Sequence, residues 1–275
     1  MPDGRMDGIT SQQTDCITHK KNKEMKEPKF IAFSTQKGGA GKTTLTVLVA
    51  SYLHYVKGLT VGIVDCDYPQ FSISDMRSRD EENIKEDESL AKQCVELYKK
   101  IGKRAYPIVE SRPEQAMELA MTMMKQQDFD IIFFDLPGTL NNKGAVSTIA
   151  HMDYVFCPIT ADRVVAQSSL TFANLINDKL ITTGKTNIKG FYFIWNMVDA
   201  REKTPLYDVY ERIIHEMGLS ALETEIPDSK RFRREADKED KRPMFRSTMF
   251  PPDRTLIKGS CVKELTDEIL DIIKL

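Results

Sequence analysis

A glycine-rich run at residues 34–44, Ser-Thr-Gln-Lys-Gly-Gly-Ala-Gly-Lys-Thr-Thr, has the residue types and spacing of a polyphosphate site. Glycine carries no Cβ, so a backbone containing several of them can curl and direct its N–H groups towards one anion. The spacing predicts that Lys42 reaches the β- and γ-phosphates and that the Thr43 hydroxyl binds Mg²⁺. The other residues predicted to line this loop are Lys37, Gly38, Gly39, Ala40, Gly41 and Thr44.

The sequence on either side predicts the elements that would hold this loop in place. Residues 30–33 are apolar and indicate a buried strand, and residues 45–50 indicate a helix packed on that strand. A strand, a glycine loop and a helix in this order are the context of a P-loop. The N-terminus of the helix adds partial positive charge beside the loop.

Carboxylates follow two further predicted strands. Asp65 and Asp67 come directly after residues 60–64, and Asp135 ends the apolar run 131–134. Residues at the carboxyl ends of parallel strands face the ligand crevice of such a sheet. Asp135 therefore fits a position that holds Mg²⁺ directly or through water. Gly138, three residues later in the sequence, would allow the backbone to approach the γ-phosphate.

The loop departs from the usual spacing G-x-x-x-x-G-K-[ST] in two ways. Gln36 stands where that spacing has glycine, and Lys37 adds a second lysine at the start of the loop. This pattern resembles the deviant Walker A box of the ParA/MinD family of ATPases, and its Gln-Lys-Gly-Gly form is closer to the ParA branch. In that family the early lysine crosses a dimer interface to the nucleotide bound by the other subunit. The resemblance thus implies ATP and Mg²⁺ as ligands and a homodimer with ATP.

The same resemblance implies roles for residues outside the loop. The family has a D-x-D-P-Q box, which this chain matches from Asp65 except that Tyr68 is inserted before the proline. In the family the first aspartate supports the Mg²⁺ shell and the second, here Asp67, positions the attacking water. Asn196 matches the adenine-binding asparagine, and the segment Pro227-Asp228 matches the one that flanks the base. Ordinary turn chemistry is the alternative explanation for these last positions.

Composition limits the class of protein. The chain has 275 residues, 41% of them hydrophobic, and a formal net charge of −2, so bulk charge does not attract nucleic acid. No apolar run approaches the length of a membrane span, and the N-terminus lacks a signal-peptide core, so we expect a cytoplasmic protein. The five cysteines lack C-x-x-C spacing, which argues against zinc or a disulfide framework.

The pattern along the chain predicts one α/β domain over residues 29–275, preceded by a mobile polar tail over residues 1–28. Continuously apolar strands that alternate with helices favour a three-layer α/β/α fold with a mainly parallel, doubly wound sheet of the P-loop NTPase type. The predicted strands are 30–33, 60–64, 106–109, 130–135, 154–159, 190–195 and 222–226. The predicted helices are 45–50, 90–101, 113–127, 168–180, 205–217 and 262–273, and the charged stretch 77–88 is left as a loop or helix surface.

One concentrated basic segment is the candidate surface for binding DNA. It comprises Lys230, Arg231, Arg233 and Arg234, with Lys238, Lys241 and Arg242 beyond. Spacing of three to four residues would place these charges on one face of a helix, where they could bind DNA phosphates, although interspersed acidic residues partly cancel them. Resemblance to ParA-type proteins implies non-specific DNA binding after dimerisation, association with the nucleoid, and a ParB-like or other DNA-binding partner that stimulates hydrolysis.

The site residues therefore predict a slow Mg²⁺-dependent ATPase that switches with ATP, and the resemblance implies a role in the partition or maintenance of plasmid, chromosomal or conjugative-element DNA. A MinD-like membrane ATPase is the first alternative, although the acidic residues of helix 262–273 would be repelled by anionic lipid. The others are an ATP-dependent synthetase of the same superfamily and an iron–sulfur reductase, for which Cys94 and Cys157 lack the matching local context.

Overall fold

The computed structural model describes residues 27–138, 143–184, 186–199, 201, 205–235 and 243–275. Of the expected tail, only Glu27 and Pro28 belong to this part of the chain. Lys238, Lys241 and Arg242 lie outside it. The tail and the outer part of the basic segment therefore remain predictions.

Seven strands in the described residues form one sheet with the order β3-β2-β4-β1-β5-β6-β7. Every neighbouring pair is parallel, as the sequence predicts. The strands are β1 (Lys29–Phe33), β2 (Val61–Asp65), β3 (Ile108–Glu110), β4 (Ile131–Asp135), β5 (Tyr154–Ile159), β6 (Gly190–Trp195) and β7 (Ser220–Ala221).

Helices cover both faces of the sheet, which gives the predicted three layers. The helices are α1 (Lys42–Tyr52), α2 (Ser72–Glu86), α3 (Glu88–Ile101), α4 (Ala116–Gln126), α5 (Lys143–Ile149), α6 (Arg163–Ile176), α7 (Leu206–Glu216) and α8 (Val262–Ile273). One apolar core contains residues of α4, α5, α6 and α7, and the core on the opposite face contains residues of α1, α2 and α8. Strands buried on both sides explain the near-continuous apolar runs in the sequence.

The C-terminal helix α8 belongs to the second core. Leu265, Ile269 and Ile273 are buried there together with apolar residues of α1 and β1. The helix thus uses its apolar face for packing within the domain. No helix of the described ranges is long and apolar enough to cross a membrane.

One predicted element needs correction, and one alternative is resolved. Residues 222–226 are not a strand, because the last strand is Ser220–Ala221. Leu222 and Ile226 are nevertheless buried, and their amides donate to the carbonyl oxygens of Phe193 and Trp195. The apolar side chains of this segment therefore belong to a loop that runs alongside β6 and is not itself a strand of the sheet. The charged stretch 77–88 lies mostly in helix α2, which agrees with a helix surface, one of the two predicted alternatives.

Parallel pairing brings the predicted carboxylates to one edge of the sheet. In the β2–β4 ladder Asp65 is in register with Asp135, and in the β1–β4 ladder Phe33, which precedes the glycine-rich loop, is also paired with Asp135. The loop and both aspartates therefore meet at the carboxyl end of the central strands.

Candidate functional site

The glycine-rich loop connects β1 to α1 and borders a cavity of about 910 Å³. Two of its glycines, Gly39 (φ +81°) and Gly41 (φ +94°), adopt the left-handed backbone conformation that side chains disfavour. Gly41 is the N-cap of α1 and has no side chain with which to cap it. The amide groups of the first helical turn thus remain available to an anion in the cavity.

Asn196, at the end of β6, fixes the position of this loop. Its side-chain Nδ2 donates a hydrogen bond of 2.8 Å to the carbonyl oxygen of Ala40. A Cβ at Gly41 would lie only 2.3 Å from the same nitrogen, so glycine is required there for the contact as well as for the backbone conformation. Asn196 lines the cavity, and its role towards an adenine ring remains a prediction.

The loop after β4 closely approaches the P-loop. A Cβ built on Gly138 would lie 3.1 Å from Lys42 Nζ and 3.3 Å from the carbonyl oxygen of Gln36. Gly138 and Lys42 both line the cavity, and the approach of this backbone to a γ-phosphate remains a prediction. The next residues, 139–142, lie outside the described ranges.

A buried carboxylate lies against the first turn of α1. Thr43 Oγ1 donates a 2.7 Å hydrogen bond to Asp135 Oδ2, while Asp135 Oδ1 is buried and has no hydrogen-bond partner among the described residues. Burial raises the pKa of Asp135 to about 7, and the hydrogen bond from Thr43 lowers that pKa only in part. An orphaned carboxylate oxygen beside a hydroxyl is a donor set that Mg²⁺ fits, because Mg²⁺ prefers oxygen ligands.

Both carboxylate oxygens of Asp65 accept hydrogen bonds from backbone amides. Its Oδ2 accepts hydrogen bonds of 3.0 Å from the amides of Ile73 and Ser74, at the start of α2, and its Oδ1 accepts a longer one of 3.4 Å from Asp67 N. Burial raises its pKa, and these amides partly offset the rise. Asp65 therefore anchors α2 to the site, and its contribution to a Mg²⁺ shell remains a prediction.

Asp67 and the inserted Tyr68 line the cavity. Asp67 is partly buried, and its carbonyl oxygen accepts from the amides of Gln70 and Phe71. Tyr68 is 49% exposed, with the Arg112 guanidinium 4.7 Å from its ring centroid. The insertion thus places an aromatic side chain at the cavity and leaves the preceding aspartate facing the ligand space.

Pro227 and Asp228 form another part of the cavity wall. Pro227 pairs with Val198 in an isolated bridge just beyond β6, and the amide of Asp228 donates to the carbonyl oxygen of Val198. The segment expected to flank the base is therefore next to Asn196. Lys37 also lines the cavity and is exposed to solvent.

The basic segment is not the helix that the spacing suggested. Lys230–Arg233 form a four-residue 3₁₀ turn capped by Ser229, so positions three to four apart do not define a helical face. Arg231 donates hydrogen bonds to the carbonyl oxygens of Leu256 (2.7 Å) and Lys258 (2.6 Å). These contacts hold the C-terminal segment, and Arg231 is therefore a poor candidate for binding DNA. Lys230 and Arg233 are exposed, and Arg234 is partly exposed.

Sequence reasoning missed Arg246. This residue lines the cavity and donates a 2.6 Å hydrogen bond to the Thr44 hydroxyl, although 202 positions separate the two. No motif surrounds Arg246 in the sequence, so only the tertiary contact reveals it. With Arg246 included, the charged residues of the described ranges that line the cavity are four cations and two carboxylates: Lys37, Lys42, Arg233, Arg246, Asp67 and Asp228.

Comparison with known proteins gives the same fold. The family model described as "CobQ/CobB/MinD/ParA nucleotide binding domain" matches residues 31–242. A plasmid partition protein from Borrelia burgdorferi is 17% identical with a TM-score of 0.53, and the match covers 90% of this chain and 98% of that one. A putative plasmid partition protein of Borrelia burgdorferi B31 bound to AMPPNP has the same coverage and TM-score at 19% identity.

Of two further matches, one is a structural match over most of the chain and the other is a short sequence match. The cell division ATPase MinD of Pyrococcus furiosus is 18% identical with a TM-score of 0.56, and the match covers 90% of this chain and all of that one. A short sequence match, 56% identical over 46 residues, links the chain to the uncharacterized protein BBD21 of Borreliella burgdorferi. It spans 17% of this chain and only 18% of that relative.

Proposed function

The chain belongs to the CobQ/CobB/MinD/ParA nucleotide-binding domain family, and from this premise we propose that it is a Mg²⁺-dependent ATPase of the ParA type. In this proposal ATP favours a homodimer that binds DNA without sequence preference, and hydrolysis releases it. The protein would act as a switch in DNA partition or maintenance in the cytoplasm, in association with the nucleoid.

The contact between Thr43 and Asp135 is the observation on which the ATPase proposal chiefly rests. It joins the P-loop to the end of the neighbouring strand and leaves one carboxylate oxygen without a partner among the described residues. Mg²⁺ bound by these groups would neutralise charge on the phosphates and polarise them. Burial of Asp135 makes an uncompensated negative charge costly, so a cation beside it is favoured.

The chain's own residues supply the rest of the chemistry. Phosphoryl transfer depends mainly on positioning and charge stabilisation. Lys42 and the amides of the first turn of α1 would stabilise the β- and γ-phosphates. Asp67, which lines the cavity, would orient the attacking water, and Gly138 brings backbone close to Lys42. Asn196 and the segment at Pro227 would bind the base.

Hydrolysis of radiolabelled ATP by the purified chain, with Mg²⁺ and with EDTA, tests this activity. We expect slow turnover that requires Mg²⁺ and is lost in Lys42→Ala. Turnover that persists in Lys42→Ala, or wild-type protein that fails to bind ATP, would contradict the proposal.

The dimer proposal concerns Lys37, which is exposed while it also lines the cavity. Such a side chain is available to the phosphates of a second subunit, where it would act as a cation supplied in trans. Sedimentation velocity with ATP should show a dimer of the wild type, and Lys37→Ala should lose hydrolysis. Lys99→Ala, an exposed lysine on α3, is the matched control. A monomer in every condition, with turnover unaffected by Lys37→Ala, would refute the dimer mechanism.

DNA binding is proposed through the exposed residues of the basic segment, Lys230 and Arg233, together with Arg234. The segment lies beside the cavity, since Ser229, Phe232 and Arg233 line it, so nucleotide could influence its position. Retention of the protein on random-sequence duplex DNA should require ATP and weaken steeply with salt. A DNA-binding partner protein would then supply sequence specificity and stimulate hydrolysis.

The rival functions make different predictions. A MinD-like membrane role would need the apolar face of α8, which is buried inside the domain, and flotation with anionic liposomes tests it. A synthetase would not respond to DNA, whereas ATPase stimulation by DNA favours the partition role. Cys94 and Cys157 are buried on α3 and β5, and a colourless purified protein would exclude an iron–sulfur reductase.

A further inference from the structure

A cationic side chain from the C-terminal part of the chain reaches the P-loop. Arg246 precedes α8, and its guanidinium donates through Nη1 to Thr44 Oγ1 at 2.6 Å. Its side chain is 20% exposed, and it lines the same cavity as Lys42 and Gly41. The guanidinium therefore lies at the first turn of α1, where the helix N-terminus favours an anion.

The guanidinium has hydrogen-bonding capacity left over. Nη2 pairs with Glu235 Oε1, and Nη1 donates to Thr44, while Nε is buried and has no partner in the described part of the chain. Arginine has five N–H donors in a planar fork that matches the oxygens of a phosphate. Thr44 and Glu235 accept from only some of these five donors, so the others are available to a ligand.

The local charge also favours an anion. Glu235 is shared, because its second carboxylate oxygen pairs with Arg79 at 3.1 Å. These three described side chains, one carboxylate between two guanidinium groups, together carry a net positive charge. Among the described residues that line the cavity, cationic side chains outnumber carboxylates by two. A polyphosphate would therefore be attracted to the side of the cavity formed by Arg246 as well as to Lys42.

The backbone around Arg246 is held firmly, so the side chain starts from a fixed point. The Arg246 amide donates to the carbonyl oxygen of Arg234 at 2.9 Å. The two residues that follow, Ser247 and Thr248, donate hydrogen bonds to the buried carboxylate of Asp80 in α2. A side chain anchored in this way loses little conformational entropy when it binds a ligand.

We propose that Arg246 binds the phosphate chain of the nucleotide from within the same subunit. This inference rests on the proposed function, because its ligand is the nucleotide of that site. The contact would be made in cis, by the C-terminal segment, and so differs from the contact proposed for Lys37 of a second subunit. It would also attach the segment at Arg234 to the bound nucleotide.

Calorimetric titration of ADP and ATP in the presence of Mg²⁺ tests this role. We expect Arg246→Ala to weaken the affinity for both nucleotides by at least about tenfold. It should also reduce the dependence of that affinity on salt, because one cation no longer meets the phosphates. Arg254→Ala is the matched control, an exposed arginine of the same segment, and should bind as the wild type does.

Circular dichroism establishes whether each variant is folded. Should Arg246→Ala fail to fold, Arg246→Gln keeps much of the side-chain volume without the charge and decides the question by the same titration. Wild-type affinity and an unchanged salt dependence in a folded variant would overturn the inference. Absence of nucleotide binding by the wild type is a different result, since it would refute the proposed function itself.

Discussion

Thr43 and Asp135, 92 positions apart in the chain, are joined by a 2.7 Å hydrogen bond from hydroxyl to carboxylate. The contact ties the first turn of α1 to the end of β4, and the other oxygen of Asp135 is buried without a partner among the described residues. The two side chains thus place a hydroxyl oxygen and a carboxylate group next to each other between the P-loop and the sheet.

This pair predicts separate effects on Mg²⁺-dependent and Mg²⁺-free binding. Thr43→Val should weaken Mg²⁺–ATP affinity by at least about tenfold and change the affinity for ATP in EDTA much less. Thr43→Ser keeps the hydroxyl and is the control, with affinity close to that of the wild type. Calorimetry with and without Mg²⁺ makes the comparison. Equal losses for Thr43→Val in both buffers would point to a packing defect and contradict the metal role.

Gly41 should tolerate no side chain. A Cβ there would lie 2.3 Å from Asn196 Nδ2, and the residue has φ +94°, so Gly41→Ala should displace the loop and abolish measurable ATP binding. Gly58→Ala is a matched control, because Gly58 has φ +77° with no atom within 4 Å of the added Cβ. The control should lose about 1 kcal/mol of unfolding free energy and keep nucleotide binding. Fluorescent-nucleotide titration and urea unfolding give the two readouts.

Substitutions of Arg231 and Lys230 should affect different properties, the first the stability of the fold and the second the binding of DNA. Arg231 donates to two backbone carbonyl oxygens, so Arg231→Ala should lower the free energy of unfolding by about 1–3 kcal/mol. Lys230 is exposed, and Lys230→Ala should leave stability within about 0.5 kcal/mol while it weakens ATP-dependent retention on DNA. Urea unfolding and a DNA pull-down test both variants. A stable Arg231→Ala that fails to bind DNA would reverse these assignments.

The buried carboxyl group of Asp80 predicts how the stability of the fold depends on pH. Burial raises its pKa, although hydrogen bonds from Thr248 and Ser247 lower it in part. A carboxyl with a raised pKa in the folded state holds its proton more tightly than in the unfolded chain. Stability is therefore greatest below the unfolded pKa of about 3.9 and falls as pH rises through the folded pKa. Asp80→Asn keeps an acceptor oxygen but cannot ionise.

Urea unfolding of nucleotide-free protein from about pH 4, near the unfolded pKa, up to about pH 8 checks this prediction. The stability of the wild type relative to Asp80→Asn should decline as pH increases. The difference between the two proteins isolates Asp80, because other buried carboxyl groups are common to both. A difference that stays constant with pH, or that grows in favour of the wild type, would contradict the raised pKa.

The local pattern of apolar residues and glycines was sufficient to predict the layers of the fold and the position of the P-loop. Residues 30–33 and 45–50 are apolar runs around a glycine loop, and each predicts its own element without reference to distant residues. It was insufficient at residues 222–226, where the same apolar signal arises from a loop packed along β6. Burial alone does not distinguish a ladder strand from a loop that is held by a few hydrogen bonds.

The sequence by itself determined the parallel α/β architecture and the glycine-rich loop with its two lysines, because hydrophobic periodicity and glycine spacing are properties of adjacent residues. The tertiary structure alone decided the contacts of the functional side chains. It placed Asp65 on the amides of α2, Arg231 on backbone carbonyl oxygens and Arg246 on Thr44. Each of these contacts depends on how separate elements pack, and the free energy of that packing is not encoded in the spacing of any one segment.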